Sequence, residues 1–99
     1  MAKVTWALEA RQDLQAIYLF VGRESTAYAD SLIETLVNAV ERLSIFPYSG
    51  QMVPEQQNPN VRQVRTMGYR IFHVVEGEDV TVVGVWHSAR PLRLSDLPG

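Results

Sequence analysis

The sequence predicts an α+β domain in which a short N-terminal strand and a two-helix hairpin pack on a small antiparallel sheet. Three observations carry this. Apolar residues recur at helical spacing in two segments between Ala10 and Leu43, β-branched and aromatic runs occupy Tyr69 to Val75 and Val80 to Trp86, and a stretch of turn formers separates the two halves. At 99 residues the chain is one domain, 1–99, with a thin core.

Lys3 to Trp6 reads as a short opening strand, after which Ala10, Leu14, Ile17, Tyr18 and Val21 mark a helix that Gly22 stops. Ser25 or Thr26 is placed to cap a second helix carrying Ala29, Leu32, Ile33, Leu36, Val40 and Leu43 on one side, and Pro47 ends it. The short Arg23-Glu24-Ser25 link makes the two helices an antiparallel hairpin whose apolar side needs a sheet to lie on. Pro47 to Asn60 holds three prolines and almost no core formers, so it is a long loop of the kind that more often serves function than idles. The hairpin after it turns at Glu76-Gly77-Glu78-Asp79, which pairs Val75 with Val80. The tail after Arg90 is expected to form no more than a turn or a short helix.

Strand alternation then assigns two faces. Arg70, Phe72, Val74, Thr81, Val83, Val85 and His87 fall on one; Tyr69, Ile71, His73, Val75, Val80, Val82, Gly84 and Trp86 fall on the other. Both are mostly apolar, which implies a cover on the side away from the helices, whether a partner chain, a second copy or the chain's own tail. If Met67-Gly68 is a tight turn, Arg65 lies opposite Arg70, and two like charges across a ladder repel unless an anion or a carboxylate relieves them. On this count of residues Arg70 stands beside His87.

Composition narrows the function classes. The hydrophobic fraction of 46% and charged fraction of 20% are those of an ordinary globular chain. Without cysteine there is neither disulfide nor thiolate metal site, and His73, with no second ligand at suitable spacing, is read as a packing residue. No metal or cofactor is expected. The longest apolar run, Ala16 to Val21, is too short to span a bilayer and no secretory signal is visible, so the expected location is the cytoplasm. Net charge is −2, with five basic against four acidic groups in residues 61–99, so any nucleic-acid contact must rest on a local patch.

The order β-α-α-β-β-β, with Ala10-x-x-Asp13-Leu14-x-x-Ile17, Leu43-x-x-x-Pro47-x-x-Gly50, Val64-Arg65, Gly68-Tyr69-Arg70-Ile71 and Val85-Trp86-His87-x-x-Arg90, resembles the RelE/ParE toxin superfamily over nearly the whole chain. The resemblance implies a toxin of a bacterial type II toxin–antitoxin, plasmid-stabilisation type module, neutralised by a cognate antitoxin that wraps its surface. Phe72, Val74, Val83 and Val85 are the expected antitoxin contacts, and Arg65, Arg70, His87 and Arg90 the expected target contacts. RelE-like members cleave messenger RNA on the ribosome, which requires a base, an acid and cations on the scissile phosphate. Arg65 and Arg70 fit the phosphate role, His87 the acid and Glu55 the base. ParE-like members inhibit DNA gyrase without known chemistry. RelE-like nucleases tend to be rich in lysine near the site and often carry a C-terminal tyrosine, whereas this chain has only Lys3 and no tyrosine after Tyr69. The His-x-x-Arg ending and the Gln/Asn-rich loop resemble the ParE side, which is therefore the leading expectation. A messenger-RNA nuclease and a non-toxic partner-binding domain remain the alternatives.

Overall fold

In the computed structural model, which describes residues 1–92 and 97, the chain runs β1 (Lys3–Trp6), α1 (Leu8–Gly22), α2 (Thr26–Glu41), a 3-10 turn (Arg42–Ser44), β2 (Gln51–Met52), β3 (Val61–Thr66), β4 (Tyr69–Glu76) and β5 (Asp79–His87). Ser25 caps α2, its hydroxyl accepting the Tyr28 N–H at 3.1 Å. Such a bond satisfies one of the orphan donors of the first turn. The strands form one sheet in the order β1-β5-β4-β3-β2.

Two turns set the register. Met67 (φ 54°) and Gly68 (φ 82°) link Thr66 to Tyr69 with both central residues left-handed, the pattern of a type I′ hairpin, and this pairs Arg65 with Arg70. Gly77 (φ 60°) supplies the positive φ of the two-residue link between Glu76 and Asp79.

β2 to β5 pair antiparallel as expected, and β1 adds a parallel edge that makes the sheet mixed. β1 pairs in parallel with β5, Lys3 against Asp79 through Trp6 against Val82. Parallel neighbours need a long crossover, here everything between the first and last strands, and local sequence does not say which edge β1 will join. β2, two residues from within the Pro47–Asn60 loop, closes the opposite edge against Arg62 and Gln63.

Each side of the sheet has its own core. Against the helices lie Ile71, Val75, Val80, Val82 and Val85, meeting Ala10, Leu32, Leu36, Val40 and Leu43. On the other side Phe72 and Val61 are buried with Val53 of the loop and Leu97 of the tail, and Leu92 packs there as well. The second apolar face is thus covered by the chain itself. His73 is fully buried, and its Nε2 faces the Pro47 carbonyl at 3.2 Å, pinning the start of the loop to β4. Burial pushes its pKa down and so favours the neutral ring.

A bulge in β5 overturns the face assignment beyond Val82. Phe72 pairs with Gly84 and His73 with Val82, so Val83 is an extra residue and the alternation shifts by one. Val85 therefore joins the helix-side core instead of Phe72, and Trp86 moves to the far side, edge-on to Phe72 with ring centroids 6.0 Å apart. His87 falls opposite Tyr69, and Arg70 opposite Trp86. The expected placement of Arg70 beside His87 is wrong for this reason.

Asp13 of α1 ties down the shifted segment. β1 ends opposite Val82, so further along the outer edge of β5 has no strand neighbour, and the Asp13 carboxylate accepts the Val85 N–H at 2.9 Å. Burial raises the Asp13 pKa, while the Val85 bond and nearby Arg90 oppose the rise. A raised carboxyl pKa means that the Asp13 contribution to stability is fullest below the unfolded value and is lost as pH rises through the folded one. Asp13→Ala should lower stability by about 1–2 kcal/mol by leaving the Val85 N–H without its acceptor. Asp13→Asn keeps an acceptor without the charge, so in thermal melts it should match or exceed the wild type at pH 7 and lose that advantage near pH 3.

Candidate functional site

The arginines and histidine singled out by sequence separate into two clusters. The first is built on β3, β4 and the loop. Arg70 is 4% exposed, and its Nε donates to Gln63 Oε1 at 2.8 Å. Its two terminal nitrogens donate to the two oxygens of Glu55, at 3.0 and 2.8 Å, while the guanidinium lies 4.9 Å from the centroid of the Phe72 ring. The like-charge pair is relieved by a carboxylate from the chain's own loop, and Arg65 is left exposed beside it.

This geometry bears on chemistry. The Arg70 hydrogen bonds hold the Glu55 carboxyl below its usual range, the reverse of what a general base near neutral pH requires. Both terminal nitrogens of the buried Arg70 are engaged by Glu55, and His87 is on the helix side of the sheet, edge-on to Tyr69 at 5.5 Å. Arg65, Arg70, Glu55 and His87 therefore do not converge on one catalytic centre. Nor do the four expected antitoxin contacts form one open face. Phe72 and Val85 are buried on opposite sides of the sheet, and Val74 and Val83 are half-buried against the loop and tail.

The second cluster surrounds the end of β5. His87 and Arg90 line a groove of about 330 Å³ with Asp13, Ile17, Phe20, Tyr69 and Trp86. The Ala89 N–H donates to His87 Nδ1 at 3.1 Å, and the Arg90 guanidinium stacks 3.5 Å from the centroid of the Trp86 ring. Phe20, Asp13 and Trp86 were not among the site residues expected from sequence, although the last two stand in its motifs. Phe20 is the clearest, a 69% exposed aromatic outside the apolar stripe of α1, and that break in period was its signal. Asp13 carried a weaker signal as an acid inside that stripe, and Trp86 was hidden by the bulge. Among the described residues no group of three or more histidine, cysteine, aspartate or glutamate side chains is arranged to hold a metal ion, and no helix is long and apolar enough to cross a membrane.

Removing one partner of the Arg70 pair separates its roles. Arg70→Ala should cost about 3 kcal/mol, the low end for a buried pair because the Glu55 side chain is 36% exposed and can turn to water. Glu55→Gln should cost about 1–2 kcal/mol at pH 7. Since the Glu55 pKa is lowered, its contribution is present above the unfolded value of about 4.3 and is lost as pH falls through the folded value, so the two melting curves should converge in acid.

The sequence matches the family described as ParE toxin of type II toxin-antitoxin system, parDE, over residues 4–92. Among solved structures, the fold is similar to a chain of the chromosomal ParDE toxin–antitoxin system from P. aeruginosa, with a TM-score of 0.73 and 22% identity over 88% of this chain and 96% of that one. It is also similar to a chain of the RelBE2 toxin–antitoxin complex from Mycobacterium tuberculosis, with a TM-score of 0.65 and 18% identity over 87% and 96%. No curated protein matches the sequence. With a family match that runs from β1 through Leu92, the chain belongs to the ParE toxins of type II toxin–antitoxin systems.

Proposed function

We propose that this chain acts by binding rather than by chemistry, inhibiting DNA gyrase in the ParE manner, and that a cognate antitoxin neutralises it through the groove at the end of β5. The observation that carries the first part is the double engagement of Arg70 by Glu55, with His87 on the opposite side of the sheet. Messenger-RNA cleavage would need that arginine free and an acid beside it.

The groove supports the second part. Ile17, Phe20, Tyr69 and Trp86 give it an apolar floor and rim, and Asp13 and Arg90 place opposite charges at one end. Aromatic anchors in a pocket with a polar rim are where binding energy concentrates in protein interfaces. The partner that fits is an antitoxin segment with aliphatic anchors, oriented by those charges.

Purified protein should inhibit gyrase supercoiling and leave messenger RNA on translating ribosomes intact. Codon-positioned cleavage abolished by Arg65→Ala or His87→Ala would instead establish the RelE-like activity, and loss of neither gyrase function nor message would favour a non-toxic binding domain. Phe20→Glu, at an exposed position, should change stability by no more than about 0.5 kcal/mol. In calorimetric titration with a cognate antitoxin, the same variant should bind at least about tenfold more weakly.

A further inference from the structure

A second cavity lies where the end of α2, the turn before β2 and the outer edge of β3 meet. It has a volume of about 300 Å³, and Arg42 and Arg65 line it together with Ser49, Gly50 and Gln51. This is enough for a small ligand.

These two arginines differ from the four whose guanidinium groups are engaged within the structure. Arg70 is paired with Glu55, Arg62 donates to the Pro59 carbonyl and lies over Tyr48, Arg23 lies over Phe20, and Arg90 stacks on Trp86. Among the described residues, the side chains of Arg42 and Arg65 have no hydrogen-bond, ion-pair or ring partner. They are exposed and come from elements distant in sequence, yet they share one cavity. Among the described residues no carboxylate lines it. Glu55 is near enough for Arg65 to be felt at its carboxyl, but both its oxygens are engaged by Arg70.

The turn is held against β3 by Gly50. At φ +99° it takes a backbone conformation that side chains rarely adopt, and a Cβ there would clash with the Gln63 carbonyl oxygen. That approach brings Ser49 and Gln51 to the cavity that Arg42 and Arg65 also line. Two unpaired guanidinium groups flanked by neutral donors suit a multiply charged oxyanion, because arginine presents forked N–H donors that match phosphate oxygens. The C-terminal end of α2 opposes an anion with only about half a unit of negative charge, against two full positive charges.

We infer that this cavity binds a phosphate group, carried either by a free nucleotide-like ligand or by a nucleic-acid backbone. Pyrophosphate titrated into the purified protein should shift the NMR signals of the Arg42 and Arg65 side chains. Arg42→Ala and Arg65→Ala should each weaken its binding by about tenfold. Arg62→Ala, which removes the same charge elsewhere, should change it by less than about twofold, since exposed charges act weakly at a distance. A short DNA duplex as a second probe assigns the source: tighter binding than pyrophosphate, falling steeply with salt, indicates a nucleic-acid backbone, and binding no tighter indicates a small phosphate ligand. Absence of pyrophosphate binding, or equal loss in all three variants, would overturn the assignment.

Discussion

One extra residue in β5 governs what this molecule presents to its surroundings. The bulge at Val83 turns Val85 into the helix-side core and Trp86 onto Phe72, and it carries His87 to the Tyr69 side of the sheet. A side-chain period of two makes any one-residue shift an exchange of faces. The Asp13 carboxylate takes the Val85 N–H where β1 has ended, so α1 holds the shifted segment in place. The groove between α1 and the end of β5 follows from this, because its floor is made of residues that the shift has turned toward the helix or around the strand end.

On the far side a different constraint operates. Two arginines directly opposed on neighbouring strands are unfavourable, and burying one of them would be worse without a counter-charge. Glu55 resolves both difficulties with a bidentate pair, and in doing so fastens the middle of a long, proline-rich loop to the sheet. The Nε2 of His73 does the same for the start of the loop through Pro47, and Val53 buries between them. A loop with almost no core formers is thus the lid of a second core. The consequence for function is that a buried, satisfied Arg70 supports the sheet, whereas Arg42, Arg65 and Arg90 are among the cations left exposed.

Much of this was legible in the sequence because it is local. Helix period, the Ser25 cap, the Gly22 stop and the positive-φ turn at Met67-Gly68 each depend on a few neighbouring residues, and together they give the α+β class and the Arg65 to Arg70 pairing. What was not legible is tertiary. The bulge depends on Asp13, 72 residues away from Val85, so alternation alone carried the hairpin register past the point where it breaks. The parallel edge of β1 and the Glu55 pairing with Arg70 likewise depend on contacts between segments far apart in the chain. The candidate site was read less well than the fold for the same reason: His87 and Arg90 were identified, but their true neighbours Asp13, Phe20 and Trp86 were not.

The central claim is that Arg70 and His87 belong to different sides of the sheet and act separately. Proton-proton nuclear Overhauser contacts from the ring of His87 test it most directly. The structure requires contacts between His87 and Tyr69, together with contacts between Trp86 and Phe72. Contacts from His87 to the side chains of Arg70 or Phe72, with Trp86 facing Tyr69, would mean an unbroken strand and would contradict the account.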